Sequence, residues 1–155
     1  MQNKINRKLM KNKEGLFHIA VSAVIENREE LILITKRSLT RDHRPGEWGL
    51  IGGRIDQGEK DMVSALKREI DEEIGLQIDV IAPFRTFYFE YGTEKKSHFG
   101  VNFYCVYGAE NKIILKDKEN DAYKWVSPQK ALRMIKDANT QEAIHVYQKF
   151  RQHYI

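Results

Sequence analysis

The 155-residue sequence predicts an α/β or α+β sandwich, a sheet with helices packed against it. Three observations lead there. Several short segments alternate apolar and polar residues, the period of a half-buried strand. Other segments repeat apolar residues at three- and four-residue steps, the period of an amphipathic helix. The two kinds are interleaved along the chain. With 41% hydrophobic and 31% charged residues the composition is that of an ordinary folded domain, and the length suits one core.

Residues 1–14 read as a basic tail, because Lys4, Arg7, Lys8, Lys11 and Lys13 all precede the first acidic residue, Glu14. Residues 15–155 read as a single domain. Leu16 to Glu26 places Phe17, Ile19, Val21, Ala23 and Ile25 on one face of a strand. The polar turn at Asn27 to Glu29 predicts a hairpin with a second strand, Leu31 to Lys36. A loop from Ser38 to Glu47 contains Pro45-Gly46, a turn signal, and Trp48 to Ile51 is a short apolar run. Asp61 to Ile74 reads as a helix capped by Asp61 and Gly75, with Val63, Leu66, Ile70 and Ile74 as its buried stripe. Ile78 to Tyr91 and His98 to Tyr107 form two long strands around the turn Gly92 to Ser97. Ile113 to Leu115 and Tyr123 to Val126 complete the sheet. Ser127-Pro128 opens a helix, and Thr140 is expected to cap a last one.

Several classes are set aside at once. No stretch approaches the ~20 consecutive apolar residues of a membrane span, and the N-terminus lacks the apolar core of a secretory signal. The expected location is cytoplasmic, as a monomer or homodimer. Cys105, the single cysteine, has no disulfide partner within the chain. The formal charge of +4 favours anionic ligands, yet composition alone does not make the chain a nucleic-acid binder.

Chemistry concentrates between residues 52 and 75. Glu69, Glu72 and Glu73 stand at i, i+3 and i+4, so their side chains are neighbours on the helix. With Asp71 they crowd negative charge that costs a few tenths of a kcal/mol per pair. A solvated acidic face would explain an isolated helix of this kind. The preceding Gly52-Gly53-Arg54-Ile55-Asp56-Gln57-Gly58-Glu59 changes the balance, because adjacent glycines let the backbone turn tightly against a ligand. A turning loop beside glutamates offers the all-oxygen shell that Mg²⁺ prefers.

Gly53 to Leu76 resembles the Nudix box. Gly53 and Glu59 keep its first spacing, and Arg68-Glu69-Ile70-Asp71-Glu72-Glu73-Ile74-Gly75-Leu76 keeps its second half. Eight residues, Lys60 to Lys67, lie where the family has seven, and Lys60 reads as the insertion. It leaves the carboxylates in register and bears on Glu59 and its contact with Arg68. Ile51 stands where many relatives have proline.

The resemblance implies a Nudix fold, a mixed β-sheet sandwiched between helices. It implies that Glu69, Glu72, Glu73 and the Gly52 carbonyl bind Mg²⁺ or Mn²⁺, and that Arg68 orients the carboxylates. Glu119, before the Trp125 strand, matches a further ligand or general base, with Glu72 its rival for that role. Arg37, Arg41 and Arg44 are candidates to grip substrate phosphates, and a solvated basic loop is the plain alternative. The implied activity is hydrolysis of a diphosphate linkage in a nucleoside triphosphate, ADP-ribose or nucleotide sugar. Two alternatives remain. Arg37 to Asp42 with Pro45-Gly46-Glu47-Trp48 is similar to the loop of isopentenyl diphosphate isomerases, whose catalytic cysteine has no counterpart near it here. The other is a non-catalytic nucleotide sensor. The aromatic residues Phe87, Tyr88, Phe89, Tyr91, Phe99, Phe103 and Tyr104 are expected mostly in the core, and no histidine has ligand spacing.

Overall fold

The computed structural model describes residues 17–155 except 94, 109–111 and 117; the basic tail at 1–14 lies outside the described residues. The strands are β1 (His18–Glu26), β2 (Ile32–Arg37), β3 (Trp48–Gly49), β4 (Ile51–Arg54), β5 (Asp79–Tyr91), β6 (Lys96–Val106) and β7 (Asn120–Val126). The helices are α1 (Met62–Ile74), α2 (Pro128–Met134) and α3 (Ala138–Tyr154). The sheet is mixed: β1 runs parallel to β6 from His18↔His98 to Glu26↔Val106, while β5 and β6 are antiparallel.

β1 is central, so both its faces are buried. Val21, Ala23 and Ile25 pack with Leu66, Ile70 and Ile74 of α1 on one side. Val24 packs with Ile144 and Tyr147 of α3 on the other. Phe17 and Ile19, expected to continue the inward row, are exposed at the strand's start. Helices therefore cover both faces, as the sandwich reading required.

The outer edge of β1 forks. Glu26 pairs with Ile32 of β2, but Ala20 to Ala23 pair with β4. β2 departs to pair with β3 and β7. The expected hairpin is thus real only at its turn, where Asn27 Oδ1 accepts from the amides of Glu29 and Leu31 at 3.0 Å each. The fork opens the sheet where β2 and β4 part.

Asp61 caps α1, its carboxylate accepting from the Ser64 amide at 2.7 Å, and Gly75 closes it at φ 68°. Three expectations need correction. Val63 is exposed and Ala65 takes its place in the stripe, because the helix turns that small residue toward the sheet. Ile113 to Leu115 is not a strand; the amides of Ile114 and Lys116 instead donate to the Ile74 and Glu73 carbonyls, closing the end of α1. Asp137, not Thr140, caps α3, since its carboxylate accepts from both the amide and the hydroxyl of Thr140.

Candidate active site

Gly58 takes φ 93°, a left-handed turn that returns Glu59 toward α1. Glu59 Oε2 accepts from the Asp56 amide at 2.7 Å. Arg68 then grips the same carboxylate with both arms of its fork, Nε to Oε1 at 2.6 Å and Nη2 to Oε2 at 3.0 Å. Lys60 is exposed beyond this pair, so the extra residue does not prevent the contact. Hydrogen bonding to Arg68, then to the Asp56 amide, holds the Glu59 carboxyl below its ordinary range. Arg68 also reaches the Arg54 carbonyl (3.2 Å), Glu69 Oε1 (3.0 Å) and Glu72 Oε2 (3.0 Å). It ties the loop to the helix.

Glu69 and Glu73 reach from α1 to a cleft of about 580 Å³ over the fork, which Glu119, Gly52 and Gly53 also line. The Gly53 backbone lies directly against the Glu69 carboxylate, where any Cβ would overlap it. Burial raises the Glu69 pKa, Arg68 opposes the shift, and the charges of Glu72 and Glu119 add to it. Glu73 is buried, and its Oε2 accepts from Asn120 Nδ2 at 2.6 Å. Glu119 Oε1 faces Arg41 Nη2 at 3.1 Å. Glu72 is more exposed, and Arg68 holds it outside the cleft lining. Among the described residues, no three acidic, histidine or cysteine side chains converge into a cation cage as they stand. The donors gathered here are carboxylates and backbone carbonyls, the oxygen chemistry that Mg²⁺ or Mn²⁺ takes, so the residues fit such an ion.

The opposite wall is cationic and aromatic. Arg37, Arg41 and Arg44 all line the cleft. Arg37 Nε donates to the His43 carbonyl at 2.8 Å, whereas Arg44 is neutralised by Asp137 at 2.6 Å. Burial, then nearby Arg44 and Arg37, pushes the His43 imidazole down to about 4, so it is neutral at ordinary pH. Phe87, Phe89 and Tyr91 do not join the core as expected; with Arg85 they form the cleft-facing row of β5. Phe89 stacks on His98 at 4.5 Å and 9°. Phe103 and Tyr104 are in the core, and Tyr88 and Phe99 are about half exposed. Sequence reasoning missed Arg85, Asn102 and Asn139, which meet in the cleft floor. The period-two row Arg85, Phe87, Phe89, Tyr91 was the available signal. Cys105 is fully buried under α1, where burial pushes its thiol up to about 12, so it is no candidate nucleophile for isomerisation.

The NUDIX domain model matches residues 16–150. The chain belongs to the Nudix family. Members of this family generally use divalent metal ions. This Nudix chain is 28% identical over 115 residues to the uncharacterized Nudix hydrolase YfcD of Escherichia coli, covering 74% of the chain but 61% of that relative's length. It is 31% identical over 118 residues to the nucleoside triphosphatase NudI of Escherichia coli, covering 70% and 81%. The MutT protein of Methanosarcina mazei shares its fold at a TM-score of 0.75, with 23% identity over 90% of this chain and 98% of that one. Among the described residues, no helix is long and apolar enough to cross a membrane.

Proposed function

We propose that this Nudix domain is a metal-dependent pyrophosphohydrolase acting on a nucleoside diphosphate derivative, through attack of water on phosphorus. One observation carries the reading: the box glutamates Glu69 and Glu73, with Glu119, line the same cleft as Arg37, Arg41, Phe87 and Phe89. Carboxylates alone would repel a diphosphate and guanidinium groups alone would only bind it. Together they suit a substrate that is held by one wall and neutralised at the other.

In this reading Glu69, Glu72, Glu73, Glu119 and the Gly52 carbonyl hold Mg²⁺ or Mn²⁺. The bound ion would neutralise phosphate charge and lower the pKa of water. Arg68 is a positioning residue, setting Glu69 and Glu72 through its fork and anchoring them to Glu59. Arg37 binds a phosphate oxygen, since it is the cleft arginine of the basic loop that is held by a carbonyl instead of a carboxylate. Arg41 covers Glu119 and must release it for that carboxylate to serve as ligand or base. Phe87 and Phe89 offer faces on which a base can stack. The substrate is a small nucleotide, and the cytoplasm is the compartment proposed for the reaction.

The test is hydrolysis of a nucleotide panel by purified protein with Mg²⁺, with Mn²⁺ and with chelator. The panel includes nucleoside triphosphates, ADP-ribose, nucleotide sugars, dinucleoside polyphosphates and isopentenyl diphosphate. Metal-dependent cleavage at a diphosphate bridge is expected. Binding of nucleotides without turnover of any would favour a sensor domain instead.

A further inference from the structure

One row of paired residues crosses the cleft floor. Gly52 of β4 pairs with Ser22 of β1, Ser22 with Asn102 of β6, and Asn102 with Arg85 of β5. Residues paired across neighbouring strands share a face, and all four line the cleft. At about 4.8 Å per strand, the row runs roughly 14 Å from the glycine loop to Arg85. The register shifts between Pro83 and Arg85, and a bulge of this kind re-aims the side chains that follow it.

Arg85 is held by neutral groups. Its Nη1 donates to Asn102 Oδ1 at 3.0 Å and its Nη2 to Asn139 Oδ1 at 2.6 Å. Arg41, Arg44 and Arg68 each face a carboxylate at salt-bridge distance. Among the described residues Arg85 has no such partner, and Asp137 and Glu142 act on it only from farther away. A partly desolvated guanidinium with amide acceptors alone retains its charge and spare N–H donors. Pinning β5 and β6 to α3 would need only neutral groups. A charge with no carboxylate in contact, set in a cleft, is suited to an anion that arrives with the ligand.

We propose that Arg85 binds a second phosphate of the substrate, carried on the nucleoside and separate from the diphosphate. The inference rests on the reading of this cleft as a diphosphate site, and it narrows the substrate to a nucleoside diphosphate derivative phosphorylated on its ribose. The diphosphate lies at the carboxylate end and the ribose phosphate at the Arg85 end. The Phe87 ring, whose outer edge lies against Gly100 and which follows Arg85 in the β5 row, lies beside the nucleoside.

The test is calorimetric titration of the full chain in chelator with adenosine 3′,5′-bisphosphate, adenosine 2′,5′-bisphosphate and AMP. At least one bisphosphate should bind about tenfold tighter than AMP or better. Arg85→Gln should abolish that preference and Arg85→Lys should keep part of it. Equal affinity for all three, no binding of either bisphosphate, or a preference unchanged in Arg85→Gln would overturn the proposal. The wild-type comparison decides even if the variant fails to fold. Chelation removes catalysis from the readout, so a phosphate preference without any hydrolysis would sink the hydrolase reading alone. Hydrolysis without a phosphate preference would sink this one alone.

Discussion

A methyl group placed on Gly53 would sit 2.5 Å from Glu69 Oε1, and closer still to the rest of the carboxylate. An ordinary contact needs roughly 1 Å more, so the carboxylate must retreat by about that distance. It is the free end of a flexible side chain, and moving it costs the fold little. A catalytic group misplaced by about 1 Å costs on the order of 100-fold in rate, or about 2.7 kcal/mol of transition-state stabilisation. Gly52 is the control. Its added Cβ would lie 2.7 Å from Ser22 Cα and nearer still to the Val21 carbonyl, backbone atoms of β1 that cannot swing aside. Overpacking of that kind costs about 1–3 kcal/mol. For a chain of this size that lowers Tm by about 2–4 °C per kcal/mol. Thermal unfolding and steady-state hydrolysis of both alanine variants are the assay. Gly53→Ala should lose turnover with nearly unchanged Tm, and Gly52→Ala should lose Tm. A fully active Gly53→Ala, or one as destabilised as Gly52→Ala, would refute the placement of Glu69 in the reaction.

Other outcomes follow from the same geometry. Glu73→Gln keeps an oxygen for Asn120 and removes charge, so turnover should fall by about 100-fold or more while Tm holds; the same loss is expected for Glu72→Gln, and unchanged rates in both would refute the metal site. Deleting exposed Lys60 should leave kcat within about threefold, because Glu59 and Arg68 already meet with it present; a collapse in activity would make the spacing functional. His43 has a folded pKa of about 4 against an ordinary 6.5, so the unfolded chain binds the extra proton between those values. Stability from this group is therefore complete above about pH 6.5 and lost as pH falls through 4, a slope that His43→Gln should flatten in pH-dependent unfolding. An NMR titration midpoint near 6.5 would contradict the burial argument.

The helix that carries the box glutamates was legible because its signals are local. Asp61, the apolar steps from Leu66 to Ile74 and Gly75 specify it within a few turns. The box glutamates could be located for the same reason. The pairing of β1 with β6 was not legible, since it joins residues about eighty positions apart and no local pattern encodes a parallel partner. The fork at Glu26 was not legible either, because it rests on β4 replacing β2 as the partner of β1. Arg85 was missed because its meaning lies in Asn102 and Asn139, which reach it only through β6 and α3. The cap of α3 was misplaced by three residues, since Asp137 and Thr140 are both good cap residues and only their mutual hydrogen bonds choose between them.

The most direct test of the central claim is turnover in ¹⁸O-labelled water with mass analysis of both products. Water attack on phosphorus predicts one labelled phosphate product, formed with Mg²⁺ or Mn²⁺, lost on chelation and strongly reduced in Glu73→Gln. Unlabelled products, an isomer in place of cleavage, or turnover indifferent to chelator would contradict the account.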